Sequence, residues 1–235
     1  MYRISIVITH PIQYYAPIFV MLNNTIKVHV FYTFSKWESS KFDKDFGKTV
    51  EWDIDLLDGY TYEFVPNEAK KPGIHHFFGI NNKSLVQKIK SWQPDALLIF
   101  GWNYASHLRV MRYFKGKIPV WFRGDSTLID YDVQFLSELS ATSYQLPALK
   151  SYIKFKLRKT FLSWVYRHID KAFYVGSNNK AYYLAHGVKK NQLVYAPHAI
   201  DNERFFDNDE KQYEQKAAAW RKELGFNDRD IVILF

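Results

Sequence analysis

The chain has 235 residues, 47% of them hydrophobic and 18% aromatic, with no cysteine and a formal charge of +8. A chain of this length buries about 70% of its unfolded surface, so a sizeable core is available. The missing thiols exclude disulfide frameworks, thiolate zinc sites and cysteine nucleophiles, and fit a reducing compartment. The opening apolar run is shorter than a secretory h-region and no segment approaches about 18 uncharged apolar residues, so a cytoplasmic protein is expected, at most peripheral to the inner face of a membrane.

In chain order, runs that are apolar throughout predict strands covered on both faces: 4–9 (ISIVIT), 27–33 (KVHVFYT), 62–66 (YEFVP), 96–100 (ALLIF), 119–122 (PVWF), 171–175 (KAFYV) and 193–197 (LVYAP). Stretches of helical period separate most of them: 14–24, 84–92, 104–114, a long one within 147–169, and 178–187, for which Ser177 is the expected N-cap and Gly187 the stop. Such repeats of strand and helix predict an α/β fold, a Rossmann-like, doubly wound and mainly parallel sheet with right-handed crossovers. The connections 34–60 and 123–146 exceed ordinary loop lengths. Residues 202–230 turn polar, with a helix expected from about Asp209 to Leu224 and a stop at Gly225. The buried-type run 231–235 (IVILF) then reads as the first strand of a second domain, which gives a Rossmann-like domain over 1–201, a connector over 202–230 and a truncated strand over 231–235.

In an open parallel sheet, ligands bind beyond the carboxyl ends of the strands, so the residues just after each run matter most. Here they are His10, Gln13 and Tyr14 after the first run, Trp102 and Asn103 after ALLIF, Arg123, Asp125 and Ser126 after PVWF, and His198 after LVYAP. No Walker A loop, G-x-G-x-x-G, H-E-x-x-H or G-x-S-x-G occurs, which removes the usual nucleotide, zinc and hydrolase signals. Aromatic faces beside Asn, Gln, Asp and Arg suit a sugar or another polyol, because C–H surfaces stack on rings while hydroxyls need directional partners. Simpler roles compete: a strand-end histidine for His10, an N-cap for Asn103, an ion pair between Arg123 and Asp125, and a turn fixed by Asp201. His75 and His76 lack a third nearby ligand, and no metal is expected.

Taken together, HPIQYYAP (10–17), FGWNY (100–104), FRGDS (122–126) and the stretch from Tyr174 to Phe205 resemble the amino-terminal half of a GT-B glycosyltransferase of the retaining family 4. That resemblance implies an acceptor-side domain facing a sugar or lipid-linked sugar, with a nucleotide-sugar donor held mainly by a missing carboxyl-terminal domain, no further cofactor, and little activity for this piece alone. One position departs from the family pattern: where many members carry a histidine in a segment like V-H-D, this chain has Phe122-Arg123-Gly124-Asp125. A guanidinium suits an anion better than proton transfer, so Arg123 is expected to touch an anionic group of donor or acceptor. No catalytic residue is assigned. A nucleotide-sugar epimerase of the same double-Rossmann plan and a basic nucleic-acid-binding module are the alternatives; no nucleic-acid motif occurs, and nucleic acid is not an expected partner.

Residues 149–171 concentrate charge. Ile153, Leu157, Phe161 and Trp164 fall on one helical stripe amid Lys154, Lys156, Arg158, Lys159 and Arg167. An ordinary crossover helix would set that stripe on the sheet; the other reading rests the basic face on an anionic membrane.

Overall fold

A computed structural model describes residues 1–34, 42–43, 48–49, 54–129, 145–227 and 229–232. Much of the two long connections, and residues 233–235 of the expected final strand, lie outside the described residues. The chain divides into two units, Met1–His198 and Ala199–Phe235.

In the first unit every predicted strand forms. β1 (Arg3–Ile8), β2 (Lys27–Tyr32), β5 (Thr61–Phe64), β6 (Ala96–Phe100), β7 (Val120–Arg123), β8 (Lys171–Tyr174) and β9 (Leu193–Tyr195) join in one seven-stranded sheet of order β5-β2-β1-β6-β7-β8-β9. All of its pairings are parallel. A separate two-stranded antiparallel ribbon pairs β3 (Phe42–Asp43) with β4 (Lys48–Thr49).

Strand order reverses at β1, so β1 and β6 lie side by side while their connections run to opposite ends of the sheet. The gap beyond their carboxyl ends is the topological switch point, where doubly wound sheets open a crevice.

Period-2 alternation splits the strand side chains between two cores. Ile4, Ile6 and Ile8 join Val28, Val30, Tyr32, Tyr60 and the helix α1 (Ala16–Asn23) through Phe19. Val7, Phe31, Leu97, Ile99 and Phe122 face the other way, onto α2 (Leu85–Trp92), α3 (Ala105–Phe114), α4 (Gln145–Tyr166) and α5 (Ser177–Ala185). Both faces are covered, which is why the strands are apolar throughout. Many of the aromatic residues are core fillers here, among them Phe19, Phe31, Tyr32, Phe122, Tyr182 and Tyr183.

Local expectations fail at three places. The N-cap of α5 is Gly176, in extended conformation, and Ser177 is already helical with no side-chain cap bond. Asn103 does not cap α3 either, since the cap position is Tyr104. The third is the stripe on α4: Leu162, Val165 and Tyr166 enter the core, followed by Ile169, and of the expected stripe only Trp164 packs against it, while Ile153, Leu157 and Phe161 are 47%, 67% and 42% exposed. At 100° per residue Val165 lies only about 40° from Phe161, so the two sets overlap around the helix, and what separates them is position along it, since contact with the core begins at Leu162.

In the second unit, α6 (Asn202–Phe205) is capped by Asp201, whose carboxylate accepts from the Arg204 amide at 3.2 Å. The helix α7 spans Tyr213–Glu223 and ends at Gly225, which supplies the left-handed conformation (φ +80°). It starts later than Asp209 because the Asn208 side chain holds the amides of Glu210 and Lys211 in a turn.

Candidate functional site

The carboxyl rim of the sheet is built in two layers, a buried polar layer beneath and a partly exposed aromatic layer above. The lower layer is made of Thr33, Asn82, Ser106 and His107, each at most 1% exposed. His107, in the first turn of α3, points its Nδ1 at the carbonyls of Phe100 and Gly101 (3.1 and 3.0 Å) and its Nε2 at the Thr33 hydroxyl (2.9 Å). Two acceptors on Nδ1 require that nitrogen to carry the proton, so Nε2 accepts from Thr33 in the neutral ring. Burial pulls the imidazole pKa down to about 4, opposed by the two backbone hydrogen bonds.

Asn82 donates from its amide to the carbonyls of Thr33, Val65 and Pro66 at 3.0, 2.8 and 3.0 Å, while its backbone N–H donates to Ser106 Oγ at 2.6 Å. These bonds tie the ends of β2 and β5 to α3, and the His107 bonds tie in the end of β6, so together they brace the sheet beside its topological switch point. Gly101 makes the turn above His107 with φ +72°, a conformation that side chains disfavour.

The upper layer centres on Arg123 at the end of β7, only 7% exposed. Its Nε donates to the Tyr15 hydroxyl (3.1 Å), and its two terminal nitrogens donate to the carbonyls of Ala196 (2.7 Å) and Pro197 (3.3 Å). One guanidinium thus joins the loop after β1 to the loop after β9 across the top of the sheet. Three of the five N–H donors of Arg123 are thus engaged by the protein itself, which gives the side chain a clamping role beside the expected contact with an anion. An ion pair with Asp125 is not formed among the described residues.

Around this clamp stand Tyr14, Tyr15 and His198. The Tyr14 ring lies 4.6 Å from Tyr15 and meets His198 edge-on at 5.8 Å, and Tyr15 lies 6.4 Å from His198. Tyr14 is 39% exposed and His198 is open to solvent. Burial raises the Tyr14 hydroxyl pKa, helped by the neighbouring Tyr15 and the Asp125 carboxylate and opposed by Arg123, so the group remains a hydrogen-bond donor at neutral pH. Rings that present a face and a donor, with an exposed carboxylate close by, can hold a polyol through stacking and directional hydrogen bonds.

The structure therefore brings Tyr14, Arg123, Asp125 and His198 together. His10 lies at the end of β1, half-buried, with its Nδ1 2.9 Å from Thr9 Oγ1 and its pKa lowered by burial. Gln13 is partly exposed in the same loop. Ser126 is exposed, but its carbonyl accepts from Asn179 Nδ2 at 2.8 Å, which pins the loop to α5. Two residues turn elsewhere. Trp102 packs edge-on against Phe161 of α4 at 5.6 Å, and Asn103 is exposed with its side chain at the Tyr104 hydroxyl.

Sequence reasoning missed the floor. Its signal was available in YASHLRVMRYF, where Ser106 and His107 interrupt the inward face of an otherwise apolar helix, and in Thr33 at the tip of a strand.

No protein-family model and no curated protein matches the sequence. Among solved structures, the chain resembles a UDP-GlcNAc 2-epimerase from Neisseria meningitidis bound to UDP-GlcNAc, with a TM-score of 0.50 and 14% identity over 97% of this chain and 54% of that one. An S. aureus MnaA–UDP co-structure is similar over 93% of this chain and 51% of its own, with a TM-score of 0.49 and 15% identity. The chain thus spans about half the length of the structures it resembles. At such identity the correspondence establishes the Rossmann-like fold.

Proposed function

We propose that this chain is one Rossmann-like half of an enzyme acting on a nucleotide sugar, with the Tyr14–His198 rim as part of the wall that meets the sugar or its acceptor. The observation that carries this reading is the pairing of a topological switch point with an aromatic, donor-bearing rim that lacks phosphate-cradling glycines; a fold shared with a UDP-GlcNAc-bound enzyme supports it. Rings and hydroxyls at the rim fit a sugar, and the nucleotide's phosphates would be held chiefly by residues outside this half.

Two chemistries suit that plan. The motifs HPIQYYAP and FRGDS, and the stretch from Tyr174 to Phe205, favour transfer of the sugar to a hydroxyl acceptor as in GT-B family 4. The solved relatives favour epimerisation. In a retaining transfer the leaving phosphate can take the acceptor proton, so the chain would act by positioning and charge stabilisation.

The complete gene product, incubated with nucleotide sugars and followed by NMR, separates the two. A transferase releases nucleotide diphosphate only when an acceptor is supplied; an epimerase interconverts sugar epimers without one. Absence of both reactions, together with no saturation transfer to any nucleotide sugar, would overturn the proposal. Tyr14→Ala is expected to lower affinity for the bound sugar about tenfold, the loss of one stacked ring.

A further inference from the structure

We infer that His29 is an acid-operated catch beneath α2: on taking up a proton it draws the Glu63 carboxylate away from Lys88 and loosens the helix from β5. The site lies toward the amino end of the sheet, away from the rim. The His29 ring packs against Phe31 at 4.5 Å and Trp92 of α2 at 5.5 Å, and both of its nitrogens are shut off from solvent with no hydrogen-bond partner among the described residues. Beside it in register, Ser5 of β1 is buried with its hydroxyl equally unpartnered, and the Arg3 guanidinium lies over the Trp92 ring at 4.5 Å. Glu63 of β5 is in register with Phe31, one step along the same sheet face, and forms an ion pair with Lys88, one helical turn before Trp92.

The charges around the ring decide what a proton does there. Arg3 of β1 and Lys88 of α2 are cations, Lys27 stands exposed two residues earlier on β2, and Glu63 of β5 is the nearby carboxylate; Asp95 is occupied by the Arg3 backbone amide at 2.8 Å. A neutral imidazole is tolerated in this slot, whereas an imidazolium with two buried N–H groups and no acceptor is costly. Burial accordingly lowers the His29 pKa from its usual 6.5, with Glu63 acting to raise it and Lys88 to lower it. The charged ring needs Glu63 more than Lys88 does: the Lys88 and Glu63 side chains are 33% and 35% exposed, such a pair contributes little, and a released ammonium returns to water. A phenylalanine would fill the slot without burying polar atoms, so what the imidazole adds is the response to a proton taken from solvent. The helix it acts on begins shortly after Asn82, which holds the ends of β2 and β5 together beneath the rim. The inference stands whether the rim handles transfer or epimerisation.

The experiment is an NMR titration of the protein from about pH 7 to about pH 5, following the His29 ring and the amide exchange of α2 corrected for its intrinsic pH dependence. The opened helix exposes the ring and binds the proton more readily than the closed one, so the contribution of the neutral ring is fully present above 6.5 and is lost as pH falls below it. Opening of α2 is therefore expected to increase about tenfold per pH unit between 6.5 and the measured His29 pKa. His107, with its pKa near 4, titrates below this window. His29→Phe should fold at least as stably at neutral pH and lose the slope. Glu63→Gln, which removes the acceptor, should lower the His29 pKa further, while Lys88→Gln, which frees the acceptor, should raise it and make the slope shallower; both positions are partly exposed, so these variants carry the test independently of the core substitution. A His29 pKa at or above 6.5, the same slope in His29→Phe, or a His29 pKa that does not move in opposite directions in the two ion-pair variants would overturn the inference.

Discussion

Arg123 offers the sharpest test of how the rim is held. Its guanidinium makes three charge-assisted hydrogen bonds, to Tyr15 and to the carbonyls of Ala196 and Pro197, while buried with no carboxylate partner among the described residues. Two effects oppose one another on substitution. Each such bond contributes about 1.5–3 kcal/mol, but removing an unpaired buried cation also relieves a desolvation penalty of several kcal/mol. Arg123→Met is therefore expected to change global stability by no more than about 2 kcal/mol, because an apolar stem fills the site while the charge penalty disappears. The local effect does not cancel, since nothing else replaces the grip on Ala196 and Pro197.

The Ala196 amide, bonded to the Tyr174 carbonyl at 2.9 Å, reports it. Losing even one bond of about 1.4 kcal/mol raises local opening about tenfold, so hydrogen exchange at Ala196 should accelerate at least that much while amides of β1 and β6 keep their protection. The His198 ring should also lose the chemical shifts imposed by Tyr14 and Tyr15. Arg123→Lys separates a clamp from an anion site: it keeps the charge but cannot reproduce the planar fork to three acceptors, so its exchange at Ala196 should match that of Arg123→Met. Unchanged exchange at Ala196 in both variants would refute the reasoning, as would full preservation of the His198 shifts.

Two further expectations concern the floor. His107 is held neutral with its pKa near 4, below its unfolded value of 6.5, so between those values the unfolded chain binds more protons than the folded one. Stability is then fully present above the unfolded pKa and falls by about 3 kcal/mol as pH drops from 6.5 toward 4. Urea midpoints across this range should show the slope, and His107→Gln should flatten it; identical slopes would disprove the assignment. Asn82→Leu matches size but leaves the carbonyls of Thr33, Val65 and Pro66 without their donor, with an expected loss of about 2–4 kcal/mol, read as a fall in Tm of roughly 6–12 °C. Asn82→Asp, which is an acceptor only when ionised, should lose at least as much at neutral pH, and a tolerated aspartate would sink this account.

What the sequence by itself determined was the sheet. Seven continuous apolar runs, separated by helical periods, leave a parallel, doubly covered arrangement as the consistent solution, and the polar residues after each run necessarily gather at one rim. Local chemistry also placed the stop of α7 at Gly225 and the turn before α6 at Asp201.

The tertiary structure alone decided what each rim residue does. Arg123 sits at a strand end by its own sequence, but its partners lie 108 and 73 residues away, so no local pattern distinguishes an anion site from a clamp. The same holds for His107, whose Thr33 partner is 74 residues distant. On α4 the difficulty is one of extent: the stripe from Ile153 to Trp164 satisfies a helical period, but periodicity does not say where along the helix the sheet begins to cover it. That choice is made by contact across the fold, through side chains whose sequence separation carries no signal.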